Sequence, residues 1–422
     1  MATPLLRRVP ASQVSALRRG AVDAATLTAA AAIVDDVRAR GEEAVRAHAE
    51  RLGDLKPGEP LLCPKKELDA AAKALAKDDR DLLKRTAKRI RAFAEAQLEQ
   101  LGEVAVEIPG GGAGHTLDPV ERAGCYAPGG RFPLPSSVLM TVLPARVAGV
   151  DTVWVASPRP TPLTLAAASI ADANGVLAVG GAQAIAALAF GAGKVPAADV
   201  VVGPGNRWVT AAKQLVAGQV GIDMLAGPSE LVVVADAEAD PALVAADLLA
   251  QAEHDPDALP VLVSLAGDDW VARVDQALER QLADLPTAPT ARAALANGYA
   301  VLAPDVDAAV AVCDRLAPEH LQLHTADADE LAVRVRHYGA LFVGPLSAEV
   351  LGDYGAGPNH TLPTGGTARS IGGLSVNAFL RTRTWLRLDD PHEAKQLVDD
   401  AIRLARLEGL EAHARAAERR RA

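Results

Sequence analysis

The chain is expected to be an α/β protein with mostly parallel sheets, and three observations carry that reading. From Gly124 onward, short β-rich runs ("DTVWVASP", "VLAVG", "ADVVVGPGN", "ELVVVAD", "LPVLVSL", "YAVLAP", "ALFVGP") alternate with helix-sized segments, the signature of βαβ units. Glycine-proline clusters fall where those strands should end: "APGG" at 127–130, "GPGN" at 203–206, "AGPSE" at 226–230 and "GAGPNH" at 355–360. Half of the residues are hydrophobic but only 3% are aromatic, so Ala, Val, Leu and Gly must provide close packing. At 422 residues the chain exceeds one ordinary core, and two or more domains are expected.

Taken in order, residues 1 to about 120 read as mainly helical. "LTAAAAIVDDVRARGEEAVRAHAERLG" and "DAAAKALAKDDRDLLKRTAKRIRAFAEAQLEQL" carry helical periodicity with dense charge on the opposite face, and nothing catalytic stands out there. The strand-helix alternation follows, and ligands are expected at the carboxyl ends of its strands. From about Asp390 a charged helical stretch begins, interrupted at Gly409, and the terminal "ERRRA" reads as a solvated end.

The formal net charge of -10 argues against a nucleic-acid surface, which needs concentrated Lys and Arg. Cys63, Cys125 and Cys313 are too few and scattered for a disulfide framework or a cysteine zinc module, which fits a reducing cytosol. The N-terminus lacks a signal-like apolar core, and no apolar run approaches the roughly 20 residues of a membrane span. A soluble cytoplasmic protein acting on small molecules is expected.

The most informative segment is "DPALVAADLLAQAEHDP". Asp240 suits an N-cap, Pro241 the first helical position, and Pro256 a stop. Gln251 and His254, spaced i, i+3, then share a face and could meet one cation, although a histidine closing a helix also serves as a dipole-complementing cap. "APEHLQLHT" sets Glu319 beside His320. Adjacent residues in an extended segment point to opposite sides, which suits separate roles as water-activating carboxylate and alcohol-deprotonating base unless a turn brings them together. The bland alternative is a strand with Leu321 and Leu323 inward. Asp353 lies in "GDYGAGPNH", where Asp can be turn chemistry or a ligand, and His360 is a possible site wall. His413 and Glu408 lie too far round one helix to share its face, unless a break at Gly409 realigns them.

No complete G-x-G-x-x-G or P-loop occurs, yet "VVVGPGNRWVTAAKQLV" has the strand, glycine turn, helix order that can bring amides to a phosphate. Cys125 could be imagined as an aldehyde-dehydrogenase nucleophile, but a small buried thiol is the commoner case. His48, His115, His337 and His392 read as surface residues, and His324 receives no role.

Taken together, "CYAPGGRFPLPSSVLMTVLPARVAGV", "VGGAQAIAALAFG", "VVGPGNRWVTAAKQLV", "IDMLAGPSELVVVAD", "DLLAQAEHDPDA", "APEHLQLHT", "GDYGAGPNHTLPTGGTAR" and "LEGLEAHA" resemble the histidinol dehydrogenase family over nearly the whole chain. That resemblance implies a zinc-containing, NAD-linked oxidation of L-histidinol to L-histidine through the aldehyde, the last step of histidine biosynthesis. It implies Gln251, His254, Asp353 and His413 as metal ligands and Glu319 and His320 as the acid/base pair. Ser229 and Glu408 would contact substrate, together with Gln251, His254, His320, Asp353 and His413, and Tyr126, Gln183 and Asn206 would contact NAD. It further implies two incomplete Rossmann-like domains in an intertwined homodimer, each tail completing the partner's site. The expected division is 1–25 as a helical extension, 26–122 with 230–378 as the metal and catalytic domain, 123–229 as the NAD domain, and 379–422 as a helical tail. Oxidation of another small alcohol, and a zinc hydrolase that needs no dinucleotide, are the competing readings.

Overall fold

The computed structural model describes residues 4–16, 22–129 and 133–421; the last glycine of the expected "APGG" turn, Gly130, lies outside them. Two six-stranded sheets and one three-stranded sheet organise the chain. In the first sheet, Glu230–Ala235 lies at the centre, with Leu259–Ser264, Tyr299–Leu302 and Arg7–Pro10 on one side and His320–His324 and Ala340–Val343 on the other, all parallel. The second sheet is built in the same sense from Arg122–Tyr126. Thr152–Ala156, Gly175–Leu177 and the antiparallel Leu62–Pro64 extend one side, and Val200–Val202 and Gly221–Ile222 the other. Counted from its central strand, each sheet follows the order 3-2-1-4-5, a doubly wound pattern without its sixth strand.

Both sheets are covered on two faces, so their central strands are buried along their whole length. Glu230–Ala235 and Leu259–Ser264 are buried at every position. His320–His324 is too, so the polar residues of "HLQLH" are as enclosed as Leu321 and Leu323. The covering helices are rich in alanine: Gly181–Phe190 buries Ala182, Ala184, Ala186, Ala187 and Ala189, and the lack of bulk lets it lie close on the sheet.

The domain division expected at residue 122 is corrected by this packing. Helices Ala24–Arg40, Glu42–Leu52, Lys65–Ala74 and Lys77–Glu99 cover the second sheet, not the first; Ala30, Val34, Leu68 and Ile90 share one core with Val153 and Val201. Leu374, Val376 and Phe379 join that core as well. The described start of the expected helical extension goes to the first sheet instead: Arg7–Pro10 joins it as a strand, Leu6 and Val14 pack in its cores, and Arg8 pairs with Asp275 at 2.7 Å. An amphipathic helix announces an apolar face without naming the sheet that receives it.

The first 120 residues and the tail also contain strands that were not expected. Val104–Ile108 and Gly111–Pro119 form a hairpin, and Leu380–Leu388, at the start of the expected helical tail, pairs antiparallel with the second of these. Two glycines are required there: a Cβ on Gly111 would lie 2.0 Å from the Arg387 carbonyl oxygen, and one on Gly114 2.0 Å from that of Val104. Beyond this sheet, Lys395–Leu407 and Glu411–Glu418 pack on each other through Val398, Ile402 and Ala414, with the break at Gly409, whose φ is 79°.

Candidate active site

The second sheet has its crevice at the carboxyl ends of its strands. The order in which strands are added reverses between the parallel strands Arg122–Tyr126 and Val200–Val202, which opens a crevice at Tyr126 and Gly203. Gly203 has φ 122°, and a Cβ there would lie 2.1 Å from the Tyr126 carbonyl oxygen, so only glycine fits. A buried ion pair fixes this turn. Lys213 Nζ meets Asp223 and donates to Gly203 O at 3.0 Å, while Asp223 Oδ2 accepts from Gly203 N at 2.7 Å. Asn206 then caps Arg207–Val216, its Oδ1 accepting from Trp208 N at 3.0 Å and Val209 N at 3.3 Å.

In the first sheet the expectation of carboxyl ends fails, because its chemistry collects at the amino ends of the central strands. Ala317, at φ 48°, turns the chain out of Val306–Leu316 so that Glu319 and His320 enter the next strand together. Both are buried, and both close on the Glu230 backbone: Glu319 Oε2 accepts from Glu230 N at 2.9 Å, and His320 Nδ1 lies 3.1 Å from Glu230 O. The adjacent pair therefore converges instead of splitting, with 3.7 Å between Nδ1 and Oε2. A carbonyl only accepts, so Nδ1 carries the hydrogen and Nε2 keeps its lone pair, with no hydrogen-bond partner among the described residues. Burial pushes the imidazole down to about 4, opposed by Asp353, so it is neutral near pH 7. Burial raises the Glu319 carboxyl well above the carboxylate range; hydrogen bonds from Glu230 and Ser229 pull the other way.

The helix Pro241–Ala252 runs back from the central strand and brings its carboxyl end to the same place. Asp240 caps it as expected, accepting from Ala242 N at 2.8 Å. Gln251 is fully buried, and neither amide atom has a partner. His254 sits just beyond the helix, its side chain 42% exposed, with Nε2 3.6 Å from Asp353 Oδ2 and 3.9 Å from Glu349 Oε1. The ligand atoms of His254, Glu349 and Asp353 all lie within 4.8 Å of one another. A helix carboxyl end, two carboxylates and an imidazole make a local field suited to a cation. His360 Nδ1 donates to the Asp353 carbonyl oxygen at 3.0 Å, and its Nε2 lies 3.3 Å from Ser137 Oγ.

Glu349 is the residue that the sequence reading missed. Both carboxylate oxygens lack partners, and Oε1 is 3.6 Å from His320 Nδ1. Burial, with Asp353 next, pushes its carboxyl well above the usual range. The signal existed: Glu349 and Asp353 are four apart in one helical turn, Glu349–Asp353, and so face the same way.

Tyr126, Gln183 and Asn206 line one cleft of about 2020 Å³ with His254 and Asp353. Cys125 is fully buried, and burial pushes its thiol up to about 12, unlike an activated nucleophile. Of the expected site residues, Glu408 and His413 are not brought in. Within this chain both are exposed, and His413 lies outside the group formed by His254, Glu349 and Asp353.

The fold and site together define an α/β enzyme with a buried carboxylate-imidazole pair beside a cation-ready cluster, opening on a cleft large enough for substrate and cofactor. The family model for histidinol dehydrogenase matches residues 17–421, and the chain belongs to that family; it is an oxidoreductase. It is 47% identical over 390 residues to the histidinol dehydrogenase of Thermus thermophilus, covering 92% of this chain and 93% of that one. That of Parasynechococcus marenigrum is 44% identical over 396 residues, covering 92% and 89%. The crystal structure of histidinol dehydrogenase from Elizabethkingia anophelis superposes with a TM-score of 0.91 at 29% identity, covering 100% of this chain and 99% of that chain. Among the described residues no helix is long and apolar enough to cross a membrane.

Proposed function

We propose that the chain catalyses the NAD-dependent, four-electron oxidation of L-histidinol to L-histidine through L-histidinaldehyde, the final step of histidine biosynthesis, in the cytoplasm and with zinc bound. One observation carries this reading beyond family membership. His254 and Asp353 of the cation-ready cluster line the same cleft as Tyr126, Gln183 and Asn206, and the free Nε2 of the buried His320 lies 3.9 Å from Asp353 Oδ1. The shared 3-2-1-4-5 strand order supports two incomplete, duplicated Rossmann-like units.

The donor set fits a zinc ion. Gln251 offers an amide oxygen that has no hydrogen-bond partner among the described residues, and an unpaired buried amide costs about 1–3 kcal/mol unless a ligand meets it. His254 and Asp353 supply an imidazole and a carboxylate, with Glu349 beside them. When bound, zinc would hold and orient the amino alcohol, and NAD would accept a hydride in each of two rounds. His320 Nε2 takes the hydroxyl proton as the alcohol is oxidised. Glu319 activates the water that adds to the aldehyde, and His320 accepts the second hydroxyl proton. The Glu230 carbonyl holds the imidazole in the tautomer that both proton transfers need.

His413 would complete the ligand set, and Glu408 the substrate contacts, from a second subunit. The unpaired state of the arm supports this: its helices pack on each other, while Leu404, Leu407 and Leu410 are 58%, 76% and 45% exposed. The test is turnover of histidinol with NAD, with and without chelator and zinc add-back, counting NADH. Two NADH per histidinol, lost with chelator and restored by zinc, are expected. Release at the aldehyde, or turnover without NAD, would refute the reading. Mixing His413 and His254 variants should recover activity in hybrid dimers, and verified hybrids without activity would refute the shared site.

A further inference from the structure

The N-terminal helical layer, which carries no recognisable motif, forms part of the cleft wall, and at Asp54 it meets the turn that carries Gln183. Helix Glu42–Leu52 ends at Gly53 in the left-handed region, and the next two amides, of Asp54 and Leu55, both turn back to Ala49 O, at 2.8 and 3.3 Å. This closed helix end, with Leu55 buried beneath it, fixes the backbone of Asp54 and directs its side chain at the second sheet. Asp54 Oδ2 accepts from Gly180 N at 2.9 Å and from Gln183 Nε2 at 3.1 Å, and the residue lines the cleft. Beside it, Gly181 N donates to the Tyr126 hydroxyl at 3.3 Å.

The carboxylate decides which way the Gln183 amide faces. Oδ2 can only accept, so the amide end turned to it must be the NH2. The other end, Oε1, is buried in a residue that lines the cleft, and it has no hydrogen-bond partner among the described residues. A buried amide oxygen left unpaired calls for a donor, and the cleft is where one can come from.

We infer that Asp54 is a positioning residue for the dinucleotide: it locks the Gln183 amide so that Oε1 is presented as an acceptor to a ligand N–H or O–H, and it anchors the Gly180–Gly181 turn. The inference rests on the proposal that this cleft holds NAD. Wild-type protein that shows no saturable NAD binding would remove that proposal, whatever Asp54 does.

The experiment is a fluorescence titration of NAD without turnover, alongside the KM values for NAD and histidinol and a thermal melt. Asp54→Ala frees the amide to rotate and should weaken NAD binding about tenfold, the effect of one oriented hydrogen bond. The KM for histidinol should change less than about twofold, a split that general loosening of the fold would not produce. Asp54→Asn keeps an acceptor oxygen and should return NAD binding to within about threefold of wild type. Unchanged NAD affinity in Asp54→Ala, or equal loss for both substrates, overturns the inference. Should Asp54→Ala not fold, the exchange Gln183→Glu with Asp54→Asn decides. Gln183→Glu alone sets carboxylate against carboxylate and should lose NAD affinity; adding Asp54→Asn should restore it. A double variant no better than Gln183→Glu alone also overturns the inference.

Discussion

Replacing Lys213 by Met isolates what the ion pair beneath the Gly203 turn contributes. The Lys213 and Asp223 side chains are 3% and 1% exposed, so water cannot take over for a lost partner. Removing one member of a buried pair costs about 3–5 kcal/mol, mostly because the other charge stays behind. Here Asp223 still accepts from Gly203 N and Met224 N, both at 2.7 Å, which places the loss near the lower end, about 3 kcal/mol. For a cooperative unit the size of the second-sheet domain, that is a fall of roughly 6–12 °C in Tm. Urea unfolding followed by tryptophan fluorescence reads it, since Trp154 lies in the same sheet. Adding Asp223→Asn removes the stranded charge while keeping an acceptor for Gly203 N, so the double variant should be more stable than Lys213→Met. A loss below about 1 kcal/mol for Lys213→Met, or a double variant less stable than the single, would refute the reasoning.

Further outcomes concern the acid/base pair, the cation cluster and the thiols. His320→Asn should slow both oxidation steps by roughly 100-fold or more, whereas Glu319→Gln should slow oxidation of supplied histidinaldehyde far more than the first step; equal losses on both substrates would contradict the division. Glu349→Gln should weaken zinc retention about 10–100-fold, measured as metal content after dialysis against chelator, with the fold unchanged by circular dichroism. Burial raises the Cys125 and Cys313 thiols to about 12 and Cys63 to about 11. A raised thiol pKa keeps the group protonated at pH 8, so iodoacetamide should leave the native chain unlabelled by mass spectrometry and label all three cysteines in urea.

What could be read from the sequence follows from where each signal resides. Strands buried on both faces write themselves as apolar runs, so "ELVVVA" and "LPVLVS" were legible without any partner. "RRVP" has no such pattern. It is a strand because an edge of the first sheet and Asp275 receive it, and those contacts lie in residues far along the chain. The glycine-rich strand Gly111–Pro119 is hidden for the opposite reason, since Gly111 makes room for the Arg387 backbone and Gly114 for the Val104 backbone and the Trp385 ring, and glycines carry no side-chain periodicity. The helical layer of residues 24–99 was visible as helix but assigned to the wrong sheet, because amphipathicity records an apolar stripe and not its destination.

The site divides along the same line. Gln251 with His254, and Glu319 with His320, are local pairs and could be picked out from spacing alone, although the convergence of the second pair depends on the left-handed turn at Ala317 and on the Glu230 backbone. Glu349 had the spacing but was passed over, because Asp353 was read as part of a glycine loop when it closes a short helix. Asp54 had no local signal at all: its role depends on a helix end more than a hundred residues from Gln183. His413 is the limiting case. Its chain neighbours place it on an arm whose apolar face stays uncovered within this chain, so under the proposed shared site the information that would bring it to a cation lies outside one subunit. Removing residues 395–422 should therefore abolish turnover and zinc retention while leaving the second-sheet core folded. A truncated chain that still holds zinc as tightly as the intact protein would show that His254, Asp353 and Gln251 suffice.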